Sequence, residues 1–166
     1  TLIQLIKTHE GERFKAYEDS EGHLTVGYGH KVKSGDKDMN GYPLLYKNQP
    51  ISKEQADRWF QEDLQKSIRQ ASSIPGFDQM SGNRQMAMID LTFNMGFGWT
   101  TKFPNAYKLI KAGAASIIPE QKNNLWEWAS NELAYKDGRN KSDGHSDWWQ
   151  QTKTRAPKIV KMVKDG

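Results

Sequence analysis

Three residues near the amino terminus have types and spacings suited to acid–base chemistry. Glu10 stands before Gly11, Asp19 follows nine residues after Glu10, and Thr25 comes six after Asp19. Taken singly, each has an ordinary explanation: a solvated glutamate, a turn aspartate capping its own backbone, a threonine favoured in a strand. Taken together, they carry the parts that hydrolysis of a glycosidic bond requires. One carboxyl group must protonate the leaving oxygen while a second carboxylate handles water or the sugar cation. Glu10 closes a helix-like stretch, where the macrodipole disfavours negative charge and so favours a carboxyl that keeps its proton and acts as general acid. Asp19 falls in or beside a turn, and the Thr25 hydroxyl could share a water with it. The requirement is spatial: a helix end must face a hairpin so that the two acids converge across a sugar-sized gap.

The elements that would position them can be read from periodicity and breakers. Leu2, Ile3, Leu5 and Ile6 share one helical face and Gly11 stops it, predicting a helix over 2–10. From Phe14 to His30, two strand-like runs flank an acidic turn containing Gly22, predicting a hairpin. Residues 31–50, with Gly35, Gly41 and Pro43, read as an irregular insertion. Ser52 and Gln55 form a capping-box pattern that opens a helix carrying Ala56, Trp59, Phe60, Leu64 and Ile68, broken at Pro75-Gly76. Running to about Ser72, it would be ~30 Å long, enough to bridge two lobes. A helix from Asn83 carries Met86, Ala87, Ile89, Asp90, Phe93 and Asn94 and stops at Gly96 and Gly98. Further helices are expected near 104–112, 119–135 and 152–164, with a charged surface loop from Lys136 to Asp147. The fold class is therefore α+β: a small hairpin-containing lobe over about 11–50, a connecting helix over about 52–72, and a helical lobe over about 73–166 joined by the amino-terminal helix.

Composition narrows the field. The 166 residues suffice for one domain or two small lobes, and six Trp, six Tyr and six Phe supply large rings for a core. The absence of cysteine excludes disulfides, thiolate zinc sites and a cysteine nucleophile. No apolar run approaches the ~18 residues of a membrane span, so no stable membrane insertion is expected. No signal peptide is read at the start, and the opening at Thr1 without a Met suggests a domain excised from something longer. A net charge of +4 and a sequence pI of about 9.2 suit an anionic polymer without specifying nucleic acid. The four His show no metal-ligand spacing, and in Asp137–Gly144 Lys and Arg fall where calcium ligands would be needed. Neither metal nor cofactor is expected. Gly27-Tyr28-Gly29 lacks the third glycine of a nucleotide loop. Lys158, Lys161 and Lys164 read first as a solvated helix face, and secondly as attraction to an anionic surface.

His9-Glu10-Gly11, then Ala16-Tyr17, Asp19, Gly22 and Thr25-Val26-Gly27-Tyr28-Gly29-His30 resemble the signature of the phage-type lysozymes, glycoside hydrolase family twenty-four. The likeness continues through Ile51–Ile68, similar to that family's interlobe helix, and Asp90-Leu91-Thr92-Phe93-Asn94-Met95-Gly96, similar to its cleft-lining helix with Phe103 after it. It resumes at Trp148-Trp149-Gln150-Gln151-Thr152 and Arg155-Ala156, leaving 31–50 and 136–147 as departures. The resemblance implies a two-lobed lysozyme-like fold. It also implies a muramidase cutting the β-1,4 bond between N-acetylmuramic acid and N-acetylglucosamine in peptidoglycan. Glu10 would be the general acid, with Asp19 and Thr25 positioning the water and inversion the outcome. An inverting pair stands ~6.5–9.5 Å apart and a retaining pair ~5–5.5 Å. By the same likeness Arg155 lies near the catalytic Glu, His30 pairs with Asp63, and Phe93 and Asn94 contact sugar.

Two other classes compete. A silent peptidoglycan-binding module on the same fold would need a lost carboxylate or an occluded cleft, and no carboxylate is lost. A nucleic-acid-binding domain rests on the pI alone, with no basic cluster to support it. The expected partner is the peptidoglycan glycan strand. The expected setting is the bacterial cell wall in the periplasm, acted on by a free lysis enzyme produced in an infected host cytoplasm or by the lysozyme domain of a longer phage structural protein carried in a virion.

Overall fold

A computed structural model describes all residues from Thr1 to Gly166. Helix α1 spans Leu2–Glu10, opened by a reciprocal cap between Thr1 and Gln4. Strands β1 (Arg13–Glu18), β2 (Leu24–Gly27) and β3 (His30–Lys31) follow. They form one antiparallel sheet in the order β1-β2-β3. The third strand was not expected from the sequence; at two residues it is too short for alternation to reveal it. Its register makes Lys31 the partner of Thr25 and His30 the partner of Val26. On the other side Tyr17 faces Thr25. Tyr17, Thr25 and Lys31 therefore form one row across all three strands and project to one face, as directly opposed residues must.

Residues beyond β3 form an irregular excursion that is tied down rather than loose. Isolated bridges join Lys37 to Pro43 and Lys15 to Pro50, and the Asp38 carboxylate caps the amides of Asn40 and Tyr42. Helix α2 spans Lys53–Ser72, with the Ser52 hydroxyl accepting from the Gln55 amide at 3.1 Å. Its buried positions Ala56, Phe60, Leu64, Ser67 and Ala71 follow helical spacing.

Packing divides the chain into two compact units, Thr1–Lys66 and Ser67–Gly166, with the boundary inside α2. Helix α1 lies in the same unit as the sheet. Within that unit the Lys7 ammonium of α1 lies 4.5 Å above the Tyr28 ring and 5.0 Å from that of Phe60, a favourable cation–π arrangement.

The second unit is helical: α3 (Gly82–Met95), α4 (Trp99–Lys102), α5 (Pro104–Ala115), α6 (Pro119–Ala134), α7 (Asp147–Gln151) and α8 (Arg155–Asp165). Ser81 caps α3, and Gly96 ends it with φ +73°. That left-handed turn suits a residue without Cβ. Helices α4 and α7, at four and five residues, are too short to show a 3.6-residue period and were not anticipated. The core gathers Trp99, Trp126, Ile110, Leu133, Ile159 and Val163, each fully buried. Trp99 donates its indole N–H to the Thr92 hydroxyl at 3.0 Å. Arg84 reaches from α3 to donate to the carbonyls of Val163 and Lys164, satisfying acceptors that the end of α8 leaves open. The 136–147 segment is an ordered hairpin-like loop: Tyr135 bridges His145, and the rings of Tyr135, His145 and Trp149 stack in turn at 4.7 and 4.3 Å.

Candidate active site

Glu10 is the last residue of α1 and is half-buried. Its side chain lies against Gly29, in the loop between β2 and β3. A Cβ added at Gly29 would overlap the carboxylate, 2.6 Å from Glu10 Cδ, and Gly29 itself has φ +70°. Both the space and the backbone conformation there call for glycine. The neighbouring Tyr28 hydroxyl donates to Glu12 Oε1 at 2.8 Å. Burial, then that bond, push the phenol up to about 12. The loop is thus anchored at the segment that follows α1.

Asp19 lies just past the end of β1. Its Oδ1 accepts from the Glu21 amide at 2.9 Å and the His23 amide at 2.8 Å, the local capping typical of a turn aspartate. Its Oδ2 accepts from Lys31 Nζ at 2.7 Å. Burial works to raise its pKa, but the Lys31 bond and the two amides together outweigh it and hold the carboxyl below its usual value. Asp19 is ionised, oriented and still partly open to solvent.

Thr25 is almost fully buried and donates its hydroxyl proton to the His23 carbonyl at 3.0 Å. A hydroxyl has one proton to give, so towards any other group Thr25 Oγ1 is an acceptor. Tyr17, its cross-strand partner, links the two acids electrostatically. Burial first raises its pKa, and the negative charges of both Glu10 and Asp19 add to that rise. The register places Tyr17 beside Thr25 on one face of the sheet, with Asp19 just past the end of the same strand.

His30 is buried and stacked on Trp59, with ring centroids 4.3 Å apart. Its Nδ1 lies 2.7 Å from Asp63 Oδ2 on α2, and its Nε2 lies 2.8 Å from Asp36 Oδ2. Burial disfavours the imidazolium, but the bonds and charges of the two aspartates prevail and raise its pKa. Asp36 is a partner the sequence reading missed, since nothing in the 31–50 pattern marks it.

The remaining expected residues lie in the second unit. Asn94 accepts the Trp148 indole N–H at 3.0 Å, and Phe93 beside it is half-buried. Arg155 is buried rather than exposed on its helix, and its Nε donates to Asp90 Oδ1 at 2.8 Å. Asp90, fully buried, is a second partner that went unrecognised. No group of three His, Asp or Glu side chains is arranged to hold a metal ion, and no helix is long and apolar enough to cross a membrane.

A mostly helical α+β chain with a small three-stranded antiparallel sheet has a lysozyme-like fold, and its family and relatives make it a glycoside hydrolase. Residues 7–141 match the phage lysozyme family, and the chain belongs to it. Among its relatives, the pre-baseplate central spike protein Gp5 of Enterobacteria phage T4 is 30% identical over the whole of this chain, which spans 28% of that protein. Probable T4-type lysozyme 2 of Dictyostelium discoideum is 32% identical over 76% of this chain and 84% of its own length. The endolysin of Salmonella phage P22 is 35% identical over 57% of this chain and 60% of its own length.

Proposed function

We propose that this muramidase works through Glu10 as general acid, with Asp19 and Thr25 holding the attacking water. The observation that carries the reading is the seating of the Glu10 carboxyl against Gly29, in the loop that follows the Thr25 strand, while the strand paired with it leads into Asp19. Glu10 would protonate the glycosidic oxygen between N-acetylmuramic acid and N-acetylglucosamine as the bond breaks. Thr25 and Asp19 both act as acceptors, so a water between them donates a hydrogen bond to each and keeps a lone pair for the anomeric carbon; as the new C–O bond forms, one proton passes to the Asp19 carboxylate and the other stays on the product hydroxyl. Attack from the face opposite the leaving group gives inversion. Phe93 and Asn94 are assigned to sugar contact on the family likeness.

Glu10→Gln should fold with an unchanged melting temperature and lose at least about a hundredfold in release of reducing ends from purified peptidoglycan, within the range for loss of a general acid. Asp19→Ala and Thr25→Ala should fall in the same assay. Anomeric analysis of the fresh product should give the α form. Undiminished lysis by Glu10→Gln would remove the assignment. For the biological setting, we favour a lysozyme domain within a longer phage structural protein that crosses the periplasm. This chain aligns end to end with a segment of a baseplate spike protein. The length of the native gene product tests that choice.

A further inference from the structure

Lys31 is the unexpected member of the Asp19 surroundings. It occupies the edge strand β3, directly across from Thr25, so the register that sets Thr25 also sets Lys31. Its Nζ is 2.7 Å from Asp19 Oδ2, with the Lys31 side chain half-exposed. A carboxylate offers about four acceptor positions. The amides of Glu21 and His23 take two at Oδ1, and Lys31 takes one at Oδ2. One position is left, on the oxygen that Lys31 holds.

We propose that Lys31 is a positioning residue for the reaction, fixing the Asp19 carboxylate as an anion with one open acceptor directed to the substrate water. This rests on the assignment of Asp19 above. The ammonium acts in two senses. It fixes the rotamer and disfavours protonation of Asp19, and it weakens the field that Asp19 offers to a developing sugar cation. Fixing prevails because the amide pair alone holds only Oδ1, whereas Lys31 holds Oδ2. The other charged and titratable groups near Asp19 are His23, with Nδ1 3.7 Å from Oδ2, Glu21, whose carboxylate faces His23 at 3.9 Å, and Tyr17. His23 also lies 3.4 Å from Lys31 Nζ. His23→Gln is therefore included so that imidazole titration is not mistaken for that of Asp19.

The test measures kcat and KM on soluble peptidoglycan fragments from pH 3 to 8 for wild type, Lys31→Met, Lys31→Arg, His23→Gln and Glu10→Gln. Thermal melts confirm folding, and an NMR titration follows the Asp19 carboxyl carbon. In Lys31→Met, kcat should fall about two- to fivefold, the range an exposed ion pair supports, with little change in KM. The acid limb should move up by roughly half a unit to one unit, and the Asp19 titration should move with it. Lys31→Arg should restore both, and His23→Gln should leave the limb in place. An unmoved limb and carbon titration in Lys31→Met, beside an inactive Glu10→Gln, would overturn the role of Lys31 alone. Full activity in Glu10→Gln would instead overturn the catalytic reading beneath it.

Discussion

At the scale of single residues, Asp19 combines two explanations that the sequence set against each other. It caps its own turn through one oxygen, and the other faces Lys31 and solvent. The turn cap is what fixes the carboxylate proposed to hold the water. Gly29 shows the same economy, since its missing side chain is the space that the Glu10 carboxyl fills. Gly29→Ala should therefore lose more than about tenfold in activity, as a small displacement of a reacting group is enough for that. The positive φ should also cost about 1–2 kcal/mol of stability. Gly41→Ala is the matched control, with φ +84° and nothing within 4 Å of the added Cβ. It should share the loss of stability and keep full activity; equal activity in both variants would refute the seating of Glu10 on Gly29.

At the scale of elements, His30 joins three pieces of the first unit: β3, the excursion through Asp36, and α2 through Asp63. The folded state raises its pKa, so it holds the proton more tightly than the unfolded chain, whose imidazole titrates near 6.5. The stabilisation is complete below about pH 6.5 and is lost as pH rises through the raised folded-state value. Asp36→Asn should accordingly destabilise the protein by about 1–2 kcal/mol at pH 5.5, as loss of a charge-assisted bond does, and by less at pH 9. Urea unfolding at the two pH values checks this; an equal difference at both would contradict a charged His30. The same residues explain why the 31–50 segment looked irregular. It has no apolar alternation, and its order comes from carboxylate caps and from the His30 imidazole just before it.

At the scale of the whole molecule, the second unit holds a buried ion pair between Asp90 on α3 and Arg155 on α8, sixty-five residues apart. Breaking such a pair from one side costs about 3–5 kcal/mol, because the remaining charge was desolvated to meet its partner. Asp90→Ala should lower the melting temperature by roughly 6–20 °C, at about 2–4 °C per kcal/mol for a chain of this size. Scanning calorimetry reads this directly, and a shift under ~2 °C would mean that the pair contributes little.

Periodicity, caps and breakers made α1, α2, α3, α5, α6 and α8 legible in outline, because each is long enough for an apolar stripe to repeat. The same local signals marked the hairpin, and the spacing of Glu10, Asp19 and Thr25 carried the likeness to the phage lysozymes, the family to which the chain belongs. The short elements β3, α4 and α7 were not legible, since two to five residues complete no period. Nor were the partners Lys31, Asp36, Asp90 and Gly29. Lys31, Asp90 and Gly29 are defined by contacts with residues twelve or more positions away, and Asp36 by a contact across an irregular turn six residues from His30; such pairings depend on strand register, loop path and helix packing rather than on local pattern. Local pattern determined which side chains are available to react; tertiary structure alone decided what holds them, through backbone closure that brings distant charges within hydrogen-bonding distance.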